Sequence, residues 1–196
     1  MNEMAKMVVV MTVLTVVSGG LLAAIRNGTL ERIENQQLQF VKGPAIKEIM
    51  KGASNDPIKD RFKIKDGKVE RSIFVGKFNG KPEVVAFETF AKGFGGPVGV
   101  MVGINLKNNT LAGVAVTTHS ETPGMGARAK TDPTFAAQFK GKPALKPIKV
   151  TKDGGQITAL SGATITSRAV CLAATEAGEI FKRLKPEIEK GIQKFN

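Results

Sequence analysis

The sequence predicts an α+β protein: a mainly antiparallel sheet flanked by helices, carried behind one N-terminal transmembrane helix. Three observations predict it. Residues 7–25, "MVVVMTVLTVVSGGLLAAI", hold no charge. Residues 61–118 contain alternating apolar and polar segments separated by turn residues, the period of half-buried strands. From Ala163 to about Leu184 the period changes to helical, with Val170, Ala173, Ala174, Ala177, Phe181 and Leu184 on one stripe.

The front segment is 19 residues long. As a helix it spans roughly 28 Å, close to the ~30 Å of a bilayer's hydrocarbon layer. A secretory signal has a shorter apolar core and a small-x-small cleavage site, so a retained anchor is the expectation. Gly19/Ala23 and Gly20/Ala24 are small-xxx-small pairs that permit close approach of another membrane helix. Lys6 precedes the span and Arg26 and Arg32 follow it, which leaves the positive-inside rule nearly balanced. A short tail fits an N-in arrangement with the large domain outside. The expected division is a tail at 1–6, the membrane helix at 7–25, a helical stalk and linker at 26–60 interrupted at Gly43-Pro44, and a domain at 61–196.

Within that domain, "RFKIKDGKVERSIFVGKF" reads as a hairpin turning at Asp66-Gly67. "EVVAFETF", "PVGVMVGINL" and "LAGVAVTTH" read as three further strands, the last two joined around Asn108-Asn109. "PTFAAQFKG" predicts a short helix ending at Gly141, and "KPIKV" and "GGQITAL" two short strands. The helix from Ala163 is expected to break at Pro186. Hairpin order throughout predicts the antiparallel α+β class.

Composition limits the chemistry. The 196 residues carry a net charge of +12. Without residues 1–26, 27 basic and 16 acidic side chains remain, a net +11. Such a domain can rest on anionic lipid. Nucleic acid is not the expected partner: the lysines are scattered, and Phe is the sole aromatic type. One histidine, His119, and one cysteine, Cys171, cannot build a protein-only zinc or iron–sulfur site in one chain. Neither metal ligands nor catalytic residues are therefore assigned. Cys171 falls on the helical run and reads as a buried small hydrophobe. Any redox chemistry must come from an organic cofactor or from a partner's metals.

Three stretches are candidates for binding. "ETPGMG", Glu121–Gly126, follows a predicted strand; Pro123-Gly124 suits a type II turn. Gly124 and Gly126 would let backbone approach a flat ligand, with Glu121 and Thr122 as polar contacts and Met125 as a polarisable surface. "GFGGP", Gly93–Pro97, is a glycine-rich loop without the Lys-Ser/Thr pair of a Walker motif. "SGATITSR", Ser161–Arg168, places four hydroxyls at a helix start. There Ser161 is the expected N-cap, and the free N–H groups with the positive dipole end make a natural phosphate site. Taken singly, each stretch reads better as a turn or a cap than as a binding site.

Together and in this order, "GFGGPVGV" (93–100), "HSETPGMG" (119–126) and "SGATITS" (161–167) resemble the FMN-binding domain family. More narrowly they look like the G subunits of Rnf electron-transport complexes, whose relatives are the C subunits of sodium-pumping NADH:quinone reductases. The resemblance implies FMN attached through a phosphoester to Thr164, by a flavin transferase that uses FAD and magnesium. It implies that Ser161, Gly162, Ala163 and Thr166 surround the phosphate, and that Glu121, Thr122, Gly124, Met125 and Gly126 contact the ring. It further implies a single-pass subunit of the cell (inner) membrane with its domain on the outer side. This subunit would relay electrons, beside other subunits, within an ion (sodium or proton) transporting complex that moves electrons between ferredoxin and NAD. One position departs: where the family often has an acid three residues before the serine, this chain has Thr158. Two rival expectations remain, the equivalent quinone-reductase subunit and a non-redox, basic, membrane-anchored binding module.

Overall fold

A computed structural model describes residues 2–67 and 69–195. Two compact units divide between Leu38 and Gln39. The first is essentially one helix, α1 (Glu3–Gln36). Its stretch Glu3–Leu30, 28 residues of mean hydropathy 2.4, is long and apolar enough to cross a membrane. The threonine hydroxyls inside this stretch are satisfied by the helix itself. Thr12 donates to the Val8 carbonyl and Thr15 to the Met11 carbonyl, each at 2.8 Å, as a hydrocarbon environment requires.

The second unit is the α+β domain. After a π-helical turn (Gln37–Lys42) comes α2 (Gly43–Ile49). Gly43-Pro44 does not end a helix here. Pro44 sits in the first turn of α2, where its missing N–H is not needed.

Five strands follow: β1 (Arg61–Asp66), β2 (Val69–Phe78), β3 (Lys81–Lys92), β4 (Pro97–Asn105) and β5 (Leu111–Thr118). They pair antiparallel in sequence order, β1-β2-β3-β4-β5. The expected β1–β2 hairpin forms, Asp66 pairing with Val69; Lys68 lies outside the described residues. β2 and β3 turn on Asn79-Gly80, where φ is 52° and 77° and Phe78 pairs with Lys81. Two successive positive φ angles make a two-residue turn that matches strand twist.

Two short helices, α3 (Arg128–Thr131) and α4 (Pro133–Ala137), precede the long α5 (Thr164–Ile192). The expected stripe holds: Val170, Ala173, Ala174, Ala177, Phe181 and Leu184 are all buried, in one cluster with Val75, Val85, Phe87, Val100 and Val102 of the sheet. The buried Thr89 hydroxyl donates to the Ala173 carbonyl at 2.9 Å, tying β3 to α5. Across the sheet, Ile46 of α2 and Met50 at its C-terminal end are buried, and a Cβ on Gly103 would overlap Ile49. The sheet is thus covered on both faces.

Two expectations are corrected. α5 does not break at Pro186 but runs through it to Ile192. Pro186 and Lys182, the residue whose carbonyl loses its donor, both face solvent, so water can satisfy that carbonyl. Ile188 and Ile192 are buried beyond it and hold the last turns down. "KPIKV" and "GGQITAL" are not strands; they meet in a single bridge, Val150 to Ile157. The tight 3₁₀ turn Thr151–Asp153 and the left-handed Gly154 between them leave no room for a ladder.

Candidate functional site

Three loops converge on one open cleft of about 630 Å³. The first is the β3–β4 connection, closed by the Gly93 N–H donating to the Gly96 carbonyl at 2.8 Å. Phe94 stands on this loop with 72% of its surface exposed and lines the cleft. The second loop follows β5. The Met125 N–H donates to the Thr122 carbonyl at 3.2 Å, and Gly124 takes φ +74° behind Pro123, the turn chemistry expected from "TPGM". The third is Leu160–Ala163, closed by the Ala163 N–H on the Leu160 carbonyl at 3.0 Å. Gly162, at φ +76°, occupies the corner a side chain would strain.

This last turn reassigns the hydroxyls of "SGATITSR". Ser161 does not cap α5. The N-cap is Ala163, without a side-chain bond, and Ser161 sits exposed on the turn two residues earlier. Ser167 secures the helix start instead. Its buried hydroxyl accepts the Leu160 N–H at 3.0 Å and donates to the Ala163 carbonyl at 2.9 Å. The Thr166 hydroxyl donates to the Glu121 carboxylate. Thr164, the first helical residue, lines the cleft, and no hydrogen bond among the described residues engages its hydroxyl. The N–H groups of Thr164, Ile165 and Thr166 have no acceptor within the helix, and all three residues lie on the cleft wall. The cleft therefore offers a free hydroxyl, unpaired N–H donors and the positive end of a 29-residue helix.

Lys152 adds a positive charge to the same wall. It is placed by its neighbour: Arg168 on α5 grips Asp153 with two bonds of 2.7 Å. The Arg168 guanidinium holds the Asp153 carboxyl below the usual carboxylate range, and Asp153 in turn raises the Arg168 pKa. Phe94, Met125 and Ile165 present exposed apolar surfaces to the same cleft, at 72%, 47% and 49%. Cys171 is buried, and desolvation, with the Asp153 charge adding, pushes its thiol up to about 12; it is held as an inert thiol.

Of the residues expected at the site, the structure brings Glu121, Thr122, Met125, Gly126, Gly162, Ala163, Thr164 and Thr166 onto one wall. Ser161 and Gly124 are beside it but do not line it. Phe94, Lys152 and Ile165 complete it. Thr158 is exposed; its backbone is clamped by the Gln138 side chain at 2.7 and 3.2 Å.

The FMN-binding domain family model matches residues 93–179, a span that contains all three loops. Over 172 residues the chain is 34% identical to the G subunit of the ion-translocating oxidoreductase complex of Methanosarcina acetivorans, covering 86% of this chain and 89% of that one. The chain belongs to this G-subunit family. The corresponding subunit of Vibrio cholerae is 30% identical over 190 residues, covering 91% and 90%. Among solved structures, NqrC of Shewanella oneidensis aligns with a TM-score of 0.51 and 26% identity, over 71% of this chain and 72% of that one. Membership explains why the site is shared among three distant loops: the family match begins at the first of them and ends within α5.

Proposed function

We propose that this protein is the membrane-anchored FMN carrier of an ion-translocating oxidoreductase complex, and that Thr164 holds the FMN through a phosphoester bond. The free Thr164 hydroxyl at the N-terminus of α5, on the cleft wall, carries this reading. The residues present fit the group. A cleft of about 630 Å³ is of the size that encloses such a ligand. The N–H groups of Thr164, Ile165 and Thr166, with Lys152, would hold the phosphate, as helix N-termini do. Phe94, Met125 and Ile165 would border the ring, joined by Thr122, with Gly126 allowing close approach. FMN supplies the uptake and release of electrons. The chain's part is to bind it, orient it and keep it from diffusing away, so that it stays at high local concentration near its redox partners.

The bond would form between Thr164 Oγ1 and the FMN phosphorus, with AMP leaving from FAD and the hydroxyl proton lost, catalysed by a flavin transferase. α1 would anchor the domain in the membrane lipid on its outer side. The complex would pass electrons between ferredoxin and NAD, as the similarity to G subunits implies. The likeness to NqrC favours one second reading, the same role in a sodium-translocating quinone reductase. Purified full chain, denatured and separated by electrophoresis, tests the attachment. Flavin fluorescence that survives denaturation in wild type and disappears in Thr164→Val supports it; fluorescence that persists in the variant places the attachment elsewhere.

A further inference from the structure

Glu121 is 6% exposed, and no other Asp, Glu, His, Lys or Arg among the described residues is buried. Its carboxylate joins the loop after β5 to the β3–β4 loop and to the start of α5. Oε1 accepts the Gly95 N–H at 2.8 Å, and Oε2 accepts the Thr166 hydroxyl on α5. The backbone is shaped to admit it. A Cβ on Gly93 would overlap Oε1, and a Cβ on Gly126 would overlap Oε2 together with the Thr166 hydroxyl.

A charge is costly to bury, and two donors offset that cost only in part. The tie itself does not require the charge. In a Gln side chain the amide oxygen would accept from Gly95 and the NH₂ would donate to the Thr166 oxygen. What the carboxylate adds is a fixed negative charge on the wall of the cleft, in surroundings where charges act strongly.

Resting on the FMN reading above, we infer that Glu121 is a positioning residue: it clamps the loop at 93–96 and the start of α5 around the flavin, and its charge lowers the flavin's reduction potential. Reduction adds electrons to the ring, and a fixed negative charge beside it opposes that. Lys152, on the same wall, acts in the opposite sense.

The test is spectroelectrochemical titration of the full chain, matured with its flavin. Glu121→Gln retains flavin and shifts the oxidised-to-reduced ratio at fixed ambient potential by about tenfold or more towards the reduced form. That is an upward shift of about 30 mV for a two-electron couple. A loaded Glu121→Gln chain at the wild-type potential overturns the charge assignment, and one that folds without flavin overturns the claim that the amide preserves the tie. Thr166→Val keeps the charge, so its potential stays at or below wild type; a rise there also overturns the assignment. Glu121→Ala, which loses both bonds, retains less flavin than Glu121→Gln, and equal loading overturns the clamp. A wild-type chain that carries no flavin is a different failure, that of the FMN reading itself.

Discussion

Ser161 and Ser167 lie on either side of the start of α5, and exchanging either for Ala separates two accounts of how α5 begins. If Ser161 were the cap, Ser161→Ala would cost about 1 kcal/mol and Ser167→Ala little. The structure reverses that order. Ser161 is exposed and makes no cap bond. The Ser167 hydroxyl is fully buried, accepts the Leu160 N–H at 3.0 Å and donates to the Ala163 carbonyl at 2.9 Å. Its removal leaves a buried N–H without a partner, which costs about 1–3 kcal/mol. For a folding unit of this size, each kcal/mol lowers Tm by roughly 2–4 °C. Ser167→Ala should therefore melt about 2–12 °C below wild type, with Ser161→Ala within about 1–2 °C, the range of a ±0.5 kcal/mol surface substitution. Differential scanning calorimetry of the full chain in detergent reads both. A larger drop for Ser161→Ala than for Ser167→Ala would refute the assignment of the helix start.

The remaining predictions concern the surroundings of the same helix. Asp153 has its pKa depressed by Arg168, so its stabilising contribution is present above the unfolded value near ~3.9 and is lost as pH falls through the folded value. Asp153→Asn should therefore lie below wild type in Tm at pH 7, with the gap closing in acid below the ordinary Asp range; a pH-independent gap contradicts this. Cys171, buried and with its thiol at about 12, should resist iodoacetamide at pH 8 in the folded chain and react once denatured, read by mass spectrometry. Thr158→Asp places a carboxylate on an exposed position held only through its backbone. It should leave Tm unchanged and raise the flavin-loaded fraction at limiting transferase, measured from the visible spectrum.

Strand order and the stripe of α5 were legible because each is written in local pattern; the three loops of the cleft stood out by their glycines and hydroxyls but were grouped only by the resemblance of their motifs. Alternation with a period of two marks β1 to β5, and the recurrence from Val170 to Leu184 marks one buried helix face. The Asn79-Gly80 turn is written the same way, as an Asn-Gly pair between alternating segments, close behind the Asp-Gly pair at Asp66-Gly67. Other features have no local signal. Lys152 lines the cleft beside Asp153, which Arg168, on another element, grips. Ser161 and Ser167 are the same residue type on either side of the helix start, and only the turn at Gly162 decides which one secures it. Pro186 shows a local rule outweighed by tertiary burial: Ile188 and Ile192 supply what the lost hydrogen bond removes. Glu121 was expected as a ring contact, yet its two bonds reach 26 and 45 residues along the chain, a distance at which sequence spacing carries no information.

The claim that Thr164 carries the flavin is tested most directly by mass spectrometry of the full chain produced with its flavin transferase. The intact protein should exceed its sequence mass by one FMN less one water, and fragmentation of the peptide spanning residues 161–168 should place the added mass on Thr164. An unmodified chain, or the added mass on Ser161, Thr166 or Ser167, would contradict the account.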